Sequence, residues 1–252
     1  MIPLIEALRV RRSQAKQFIP DIWSADPVGF RGLPVIDPTP CAAVCTACVD
    51  ECPTDAIRLA PFRLDLGRCV FCDECARVCP QQKVAFTAGY RLAARTRDGL
   101  VMREGTSSLP AVEADARIRK LFGRSLKLRS VSAGGCNGCE LEINATANVN
   151  FDSGRYGIDI VASPRHADGL ILSGPLTRNM AAALALCYEG MPDPKFVIAV
   201  GTCAISGGVF EPSPVLDRSF LDRFTPEVYV AGCPAHPLSV VNGILDLLGQ
   251  SG

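Results

Sequence analysis

The sequence predicts an α/β protein of two units in tandem, a small α+β unit built around repeated cysteine runs and a doubly wound, mostly parallel sheet covered by helices. Three observations lead there. Eight of the 13 cysteines fall between Cys41 and Cys79 in two matching runs. Residues 123–252 alternate short apolar runs with helix-like stretches, the pattern of a parallel sheet with crossover helices. Between the two, residues 91–122 are polar and charge-rich, with turn signals at 95–99 and 104–108. The expected organisation is therefore a cysteine-rich unit at 1–90, a linker at 91–122 and a second unit at 123–252.

A chain of 252 residues has room for two such cores. Its 48% hydrophobic and 21% charged residues, with 26 basic against 26 acidic side chains, are ordinary for a soluble globular protein. No charge excess favours nucleic acid. No apolar run approaches the ~18 residues of a membrane span, so membrane association is expected to run through partner subunits. Arg11-Arg12 has the arginine pair of a twin-arginine export signal, but Ser13, Gln14 and Ala15 follow where such signals turn hydrophobic. The reading is a basic surface turn and a cytoplasmic chain. In that reducing compartment clustered cysteines are metal ligands before they are disulfides.

In the second unit, residues 127–133, 157–162, 169–172, 196–201 and 228–231 are short β-branched or apolar runs closed by Gly, Pro or Cys, which predicts strands. Residues 176–189, 238–248 and 215–224 have the spacing of helices. Charge divides near the same boundary: 19 basic and 14 acidic residues lie through Lys127, 7 and 12 after it. That division fits either an interface or an ordinary solvated surface.

Residues 69–80 read C-V-F-C-D-E-C-A-R-V-C-P, the C-x2-C-x2-C-x3-C-P run of bacterial-type ferredoxins. Three cysteines two residues apart wrap one face of a four-iron, four-sulfide cube, and the fourth, before proline, serves the neighbouring cube. Residues 41–53, C-A-A-V-C-T-A-C-V-D-E-C-P, are a second copy with one extra residue between Cys41 and Cys45. One 4Fe-4S cluster is thus assigned to Cys41, Cys45, Cys48 and Cys79, and another to Cys69, Cys72, Cys75 and Cys52. The longer first gap leaves the first centre's identity open, because a displaced Cys41 would leave a three-iron centre or a shifted potential. Zinc is the competing reading, although zinc sites pair C-x-x-C knuckles across a longer spacer. The repeat of C-P-T-D-A-I as C-P-Q-Q-K-V predicts two similar halves and a ferredoxin-like fold.

In the second unit Cys136 and Cys139 (A-G-G-C-N-G-C-E-L-E), Cys203 (V-G-T-C-A-I-S-G-G) and Cys233 (A-G-C-P-A-H-P) each follow an expected strand. The carboxyl ends of parallel strands share one edge, where ligands bind, so these four form a candidate third 4Fe-4S site. Gly134, Gly135, Gly138, Gly201, Gly207, Gly208 and Gly232 beside them let the backbone approach a cluster.

Those motifs, with P-R-H-A-D-G-L and G-P-L-T-R-N-M, resemble the small subunit of membrane-bound, energy-converting nickel-iron hydrogenases of the formate hydrogenlyase type, homologous to the 20 kDa cluster-bearing subunit of NADH:quinone oxidoreductase. The resemblance covers residues 123–250, and F-R-G-L-P-V-I-D-P before Cys41 is similar to the two-cluster ferredoxin subunit of the same assemblies. It implies a flavodoxin-like second domain and a fusion of two subunits that are often separate. It also implies that the Cys136, Cys139, Cys203 and Cys233 cluster lies nearest an active site on a partner large subunit, so that this chain is a non-catalytic electron relay. Quinone-reducing relatives carry adjacent cysteines at the first ligand position; C-N-G-C here is spaced as in hydrogenases. The expected partners are that large subunit or its homologue, membrane subunits, and a redox donor or acceptor, with the chain peripheral on the inner membrane face. The alternatives are the same relay in a quinone- or ferredoxin-linked complex without hydrogen turnover, and a zinc- or cluster-binding regulatory module.

Other residues carry two readings each. Arg165 and His166 would raise a cluster's potential if near it, or belong to a surface loop. Glu140 and Glu142 would pass protons or stabilise a helix start. Arg178 and Asn179 suit an interface or a cap, and Cys187 a buried small hydrophobe.

Overall fold

The computed structural model describes residues 3–13, 21–42 and 44–250; Arg11 and Arg12, expected in a basic surface turn, are exposed but stand in the last turn of a helix, and Gln14 and Ala15 lie outside the described residues. After the helix Leu4–Ser13 come β1 (Pro34–Ile36), β2 (Ile57–Arg58), β3 (Arg63–Asp65) and β4 (Val84–Phe86). Then follow β5 (Ala93–Ala94), β6 (Val101–Arg103), β7 (Leu126–Ser132), β8 (Ile158–Ile160), β9 (Gly169–Ser173), β10 (Phe196–Val200) and β11 (Val228–Val230).

The first half holds two small antiparallel sheets, β1 with β4 and the trio β2-β3-β6, plus one-turn helices Ala47–Asp50 and Glu74–Arg77. These elements are short because closely spaced cysteines, prolines and left-handed residues interrupt them: Asp55, Phe71, Asp73 and Gln82 all have positive φ, which ends regular structure.

The second half is a six-stranded sheet of order β5-β11-β10-β9-β7-β8. Five strands run parallel and β5 pairs antiparallel with β11. Counted from β7, the parallel strands stand in the order 2-1-3-4-5, shared with flavodoxin-like sheets. All five expected strands are present. β9 (GLILS) and β10 (FVIAV) are buried at every position, as continuous apolar runs in a sheet covered on both faces should be. Expected helices also appear at Arg178–Glu189, Ser219–Arg223 and Pro237–Leu247. The last is seated among apolar side chains on nearly all sides, with Pro237 at its first position and His236 Nδ1 accepting the Leu238 N–H at 3.1 Å, a start where proline costs no hydrogen bond.

Residues 91–122, expected as a linker, join the two halves by pairing with both. β5 extends the large sheet and β6 completes the β2-β3 sheet. Two- and three-residue strands are too short for alternation to register in the sequence, and their partners lie far along the chain. One apolar core runs across the boundary, from Ile36, Phe62, Leu64 and Met102 to Leu170, Leu172, Val197 and Ile205. Further ties cross it: Arg97 grips Asp65 with two bonds of 2.7 Å, and the buried Ile22 carbonyl accepts from Tyr90 Oη at 3.1 Å and Asn242 Nδ2 at 2.9 Å.

Asp115 caps the helix Ala116–Phe122, accepting N–H bonds from Arg117 and Ile118 at 2.9 Å each. Those donors, Ile118 foremost, hold its carboxyl below the usual carboxylate range against the opposing effect of burial. A lowered folded pKa means the stabilisation is complete above the unfolded value of ~3.9 and is lost as pH falls through the folded one. Asp115→Ala is expected to cost ~1 kcal/mol at pH 7, and Asp115→Asn much less, read as the shift in urea midpoint under anaerobic conditions.

Candidate metal centres

Thirteen cysteine thiols are free of disulfides, and twelve of them lie in the runs and strand-end loops described above. Burial raises several of these thiols, and nearby sulfurs add to it. Burial, then Cys79, Cys41 and Cys45, push the Cys48 thiol up. Burial, then Cys72, Cys52 and Cys48, push Cys75 up to about 12; burial also raises Cys69, with Cys75, Cys52 and Cys72 adding to it against the Phe71 N–H. Cys79 is thus among the neighbours that raise Cys48, and Cys52 among those that raise Cys69 and Cys75; Cys52, Cys69, Cys72 and Cys75 line one cavity.

The third set forms at the carboxyl edge of the large sheet. Cys136 lies in the loop after β7, Cys139 on the helix Gly138–Ala145, Cys203 on the helix Thr202–Ser206 after β10, and Cys233 just past β11. Burial raises Cys139 to about 12, opposed by the Ala235 N–H and reinforced by Glu140, Cys203 and Cys233. It raises Cys203 to about 11, with Cys233, Cys136 and Glu140 adding. Cys136 and Cys233 remain exposed, so this set opens to the surface.

Such thiols stay protonated at neutral pH unless a positive centre displaces their protons. The surrounding backbone suits sulfur. The Ala56, Phe71 and Lys83 N–H groups donate to the Sγ atoms of Cys52, Cys69 and Cys79 at 3.2, 3.3 and 3.3 Å. At Gly201 (φ +87°) a Cβ would stand 2.4 Å from Cys139 Sγ, and at Gly208 (φ +55°) 3.2 Å from Cys203 Sγ. Among the described residues no group of three or more His, Cys, Asp or Glu is arranged to hold a single metal ion. The thiol donors, the N–H groups aimed at sulfur and the glycine-lined approaches fit an iron-sulfur core.

The sets form a series. Burial is the main cause of the raised Cys75 and Cys233 thiols, but Cys48 adds to the first and Cys72 to the second, so the second set lies near both others. At the second junction Thr202, 1% exposed, donates its hydroxyl to the Cys69 carbonyl at 2.7 Å and lies 3.2 Å from the Gly232 carbonyl. One side chain thus joins a residue of the second set to the loops of Cys203 and Cys233. Arg31 also steadies the second set, donating to the Phe71 carbonyl at 3.1 Å and pairing with Asp73 at 3.1 Å. Arg218 reaches the carbonyls of Cys203, Ala204 and Ile205 at 3.2, 2.8 and 2.9 Å, closing the helix that carries Cys203. The sequence reading misses Thr202, Arg31 and Arg218. Only the glycine and cysteine flanking Thr202 signalled that position.

The other singled-out residues divide. Glu140 Oε1 accepts from the buried Ser173 hydroxyl at 2.8 Å, beside the third set. Glu142, raised by burial, lines a cavity with Arg31, Phe71, Cys233 and His236. Arg165 and His166 are exposed on a turn just before β9, at the amino edge of the sheet; this is the surface-loop alternative, because the strand runs from them toward the cysteine edge. Arg178 opens its helix with its N–H bonded to the Val215 carbonyl at 2.9 Å. Cys187 is partly rather than fully buried and packs against the core.

Known proteins share the segment that carries the third set. Residues 136–247 match the family of the NADH ubiquinone oxidoreductase 20 Kd subunit. The chain is 43% identical over 131 residues to the probable membrane-bound hydrogenase subunit mbhJ of Pyrococcus furiosus, covering 52% of this chain and 78% of that one. It is 41% identical over 135 residues to formate hydrogenlyase subunit 7 of Escherichia coli, covering 53% and 52%. An NADH-quinone oxidoreductase subunit of Geotalea daltonii is 43% identical over 115 residues, covering 45% and 66%. The chain belongs to the 20 kDa subunit family of NADH:ubiquinone oxidoreductase.

Gly201→Ala is expected to lower stability by more than ~1–2 kcal/mol, the cost of a left-handed non-glycine residue alone, because the new methyl also meets Cys139 Sγ. The anaerobic urea midpoint checks this, with Gly105→Ala, at a positive φ with open space around it, as the control for backbone strain without the clash.

Proposed function

We propose that the chain is an electron-transfer iron-sulfur subunit of a membrane-associated nickel-iron hydrogenase complex, relaying electrons through three 4Fe-4S clusters to or from an active site on a partner large subunit. The observation that carries this reading is the serial placement of three four-cysteine sets, with the buried Thr202 hydroxyl bonded to the Cys69 carbonyl between the second and third. Cys41, Cys45, Cys48 and Cys79 would hold the first cluster, Cys69, Cys72, Cys75 and Cys52 the second, in a ferredoxin-like domain. Cys136, Cys139, Cys203 and Cys233 would hold the third.

Each cluster, when bound, accepts and returns one electron. The chain's own residues supply spacing, shielding and fixed dipoles. Buried Cys48, Cys69 and Cys75 exclude water from the inner part of the relay. N–H groups aimed at Cys52, Cys69 and Cys79 stabilise negative charge on sulfur. The exposed Cys136 and Cys233 mark the end meant for a partner, and exposed Val209 and Phe210 beside the Cys203 loop provide an apolar rim for the large subunit. No helix of the described residues is long and apolar enough to cross a membrane, so the proposed membrane association runs through partner subunits.

The relatives favour one second reading. Because a quinone oxidoreductase subunit has the same 43% identity as the hydrogenase one, over a shorter stretch, the same relay could serve a quinone- or ferredoxin-linked complex. C-x2-C at Cys136 and Cys139 rather than adjacent cysteines supports the hydrogenase.

Anaerobically prepared chain is expected to contain ~12 iron and ~12 sulfide, as three four-iron clusters require; zinc in place of iron and sulfide rules the relay out. In membranes bearing the native complex, hydrogen gas alone should bring up reduced-cluster EPR signals. Cys203→Ser should abolish electron delivery while leaving the first-half clusters assembled. Reduction by dithionite but not by hydrogen would select the second reading.

A further inference from the structure

Beside the set with the longer first gap lies a charge that the relay leaves unexplained. Lys83 is 2% exposed. Its ammonium donates to the Thr39 carbonyl at 2.6 Å and to Glu104 Oε1 at 2.7 Å, with the Phe62 ring 5.4 Å away. An ammonium is costly to bury even when paired, so its placement calls for a reason.

The internal repeat supplies one. In each run the residue four positions after the proline-preceding cysteine donates its N–H to that sulfur, Ala56 to Cys52 and Lys83 to Cys79. The residue before the donor, Asp55 or Gln82, has φ 50° in both halves. The backbones therefore do the same work, while the side chains differ: a methyl in one copy, a long cation in the other. The methyl stands by Cys52, whose set has the regular C-x2-C-x2-C spacing. The lysine stands by Cys79, whose set has the extra residue between Cys41 and Cys45. Its ammonium reaches the carbonyl two residues ahead of Cys41, and Glu104 and Phe62 line the same cavity as Cys41 and Cys45. Lys83 ties the Cys79 end of the set to its Cys41 end.

We propose that Lys83 is a positioning residue that holds Cys41 as the fourth ligand of the first cluster, so that the lengthened gap carries a four-iron rather than a three-iron centre. The proposal rests on the iron-sulfur reading above. A corner iron without its thiolate is lost on oxidation: one electron passes to an added oxidant such as ferricyanide, one ferrous ion leaves, and three irons with four sulfides remain. Lys83 guards against that loss by keeping the thiolate in place.

The test uses the anaerobically purified full chain, titrated with ferricyanide and followed by EPR and iron and sulfide analysis. Lys83→Met is expected to develop the three-iron signal toward one spin per chain, with iron falling from ~12 to ~11 and sulfide staying at ~12; wild type develops almost none. Glu104→Gln keeps an oxygen for the ammonium and leaves the Thr39 bond intact, so it should behave as wild type. Equal signals in wild type and Lys83→Met overturn the role of Lys83, as does a three-iron signal in Glu104→Gln matching that of Lys83→Met. Wild type without ~12 irons overturns instead the reading on which the proposal rests. The second and third clusters report folding in each variant. If Lys83→Met does not fold, Lys83→Gln, too short to span the same distance, carries the same expectation.

Discussion

Bringing four thiols together in a half-buried space is unfavourable for their ionised forms, and that constraint shapes most of this molecule. Burial first, and neighbouring sulfurs after it, raise the thiols of Cys48, Cys75, Cys139 and Cys203. The chain answers with N–H groups directed at sulfur and with close glycine backbone. The cost is regular structure. Among the described residues of the first half no helix carrying a cysteine exceeds one turn and no strand exceeds three residues, because the left-handed residues that aim the amides also end the elements.

What such a half lacks in secondary structure it recovers from shared packing. The apolar side chains of β2, β3 and β6 continue into the core under β9 and β10, and the segment joining the halves donates a strand to each. Arg97 with Asp65 and the Ile22 carbonyl with Asn242 add polar ties across the same junction. A junction held by core, backbone pairing and ion pairs resists bending, as electron transfer between fixed centres demands. The proposed relay needs that rigidity more than it needs any single contact.

Topology does for the third set what sequence proximity does for the first two. Parallel strands β7, β10 and β11 end on one edge, so residues 136, 203 and 233 arrive together although nearly a hundred residues separate the extremes. The short helix carrying Cys203 is closed by Arg218 and linked through Thr202 to the carbonyl of Cys69. Cys136 and Cys233 stay exposed at that edge.

The cysteine spacings, the two runs and the five parallel strands were legible along the chain because each is a local pattern: sulfur every third residue, or an apolar run closed by glycine. The proposed partition of the first eight cysteines followed from the repeat alone. The strand pairings of residues 93–94 and 101–103, the turn that takes Arg165 and His166 to the far edge, and the contacts of Thr202, Arg218 and Lys83 were decided only by tertiary structure. Thr202 meets a carbonyl 133 residues away and Lys83 one 44 residues away. A hydrogen bond to a backbone carbonyl leaves no mark on the identity of the accepting residue, and so nothing in the sequence announces it.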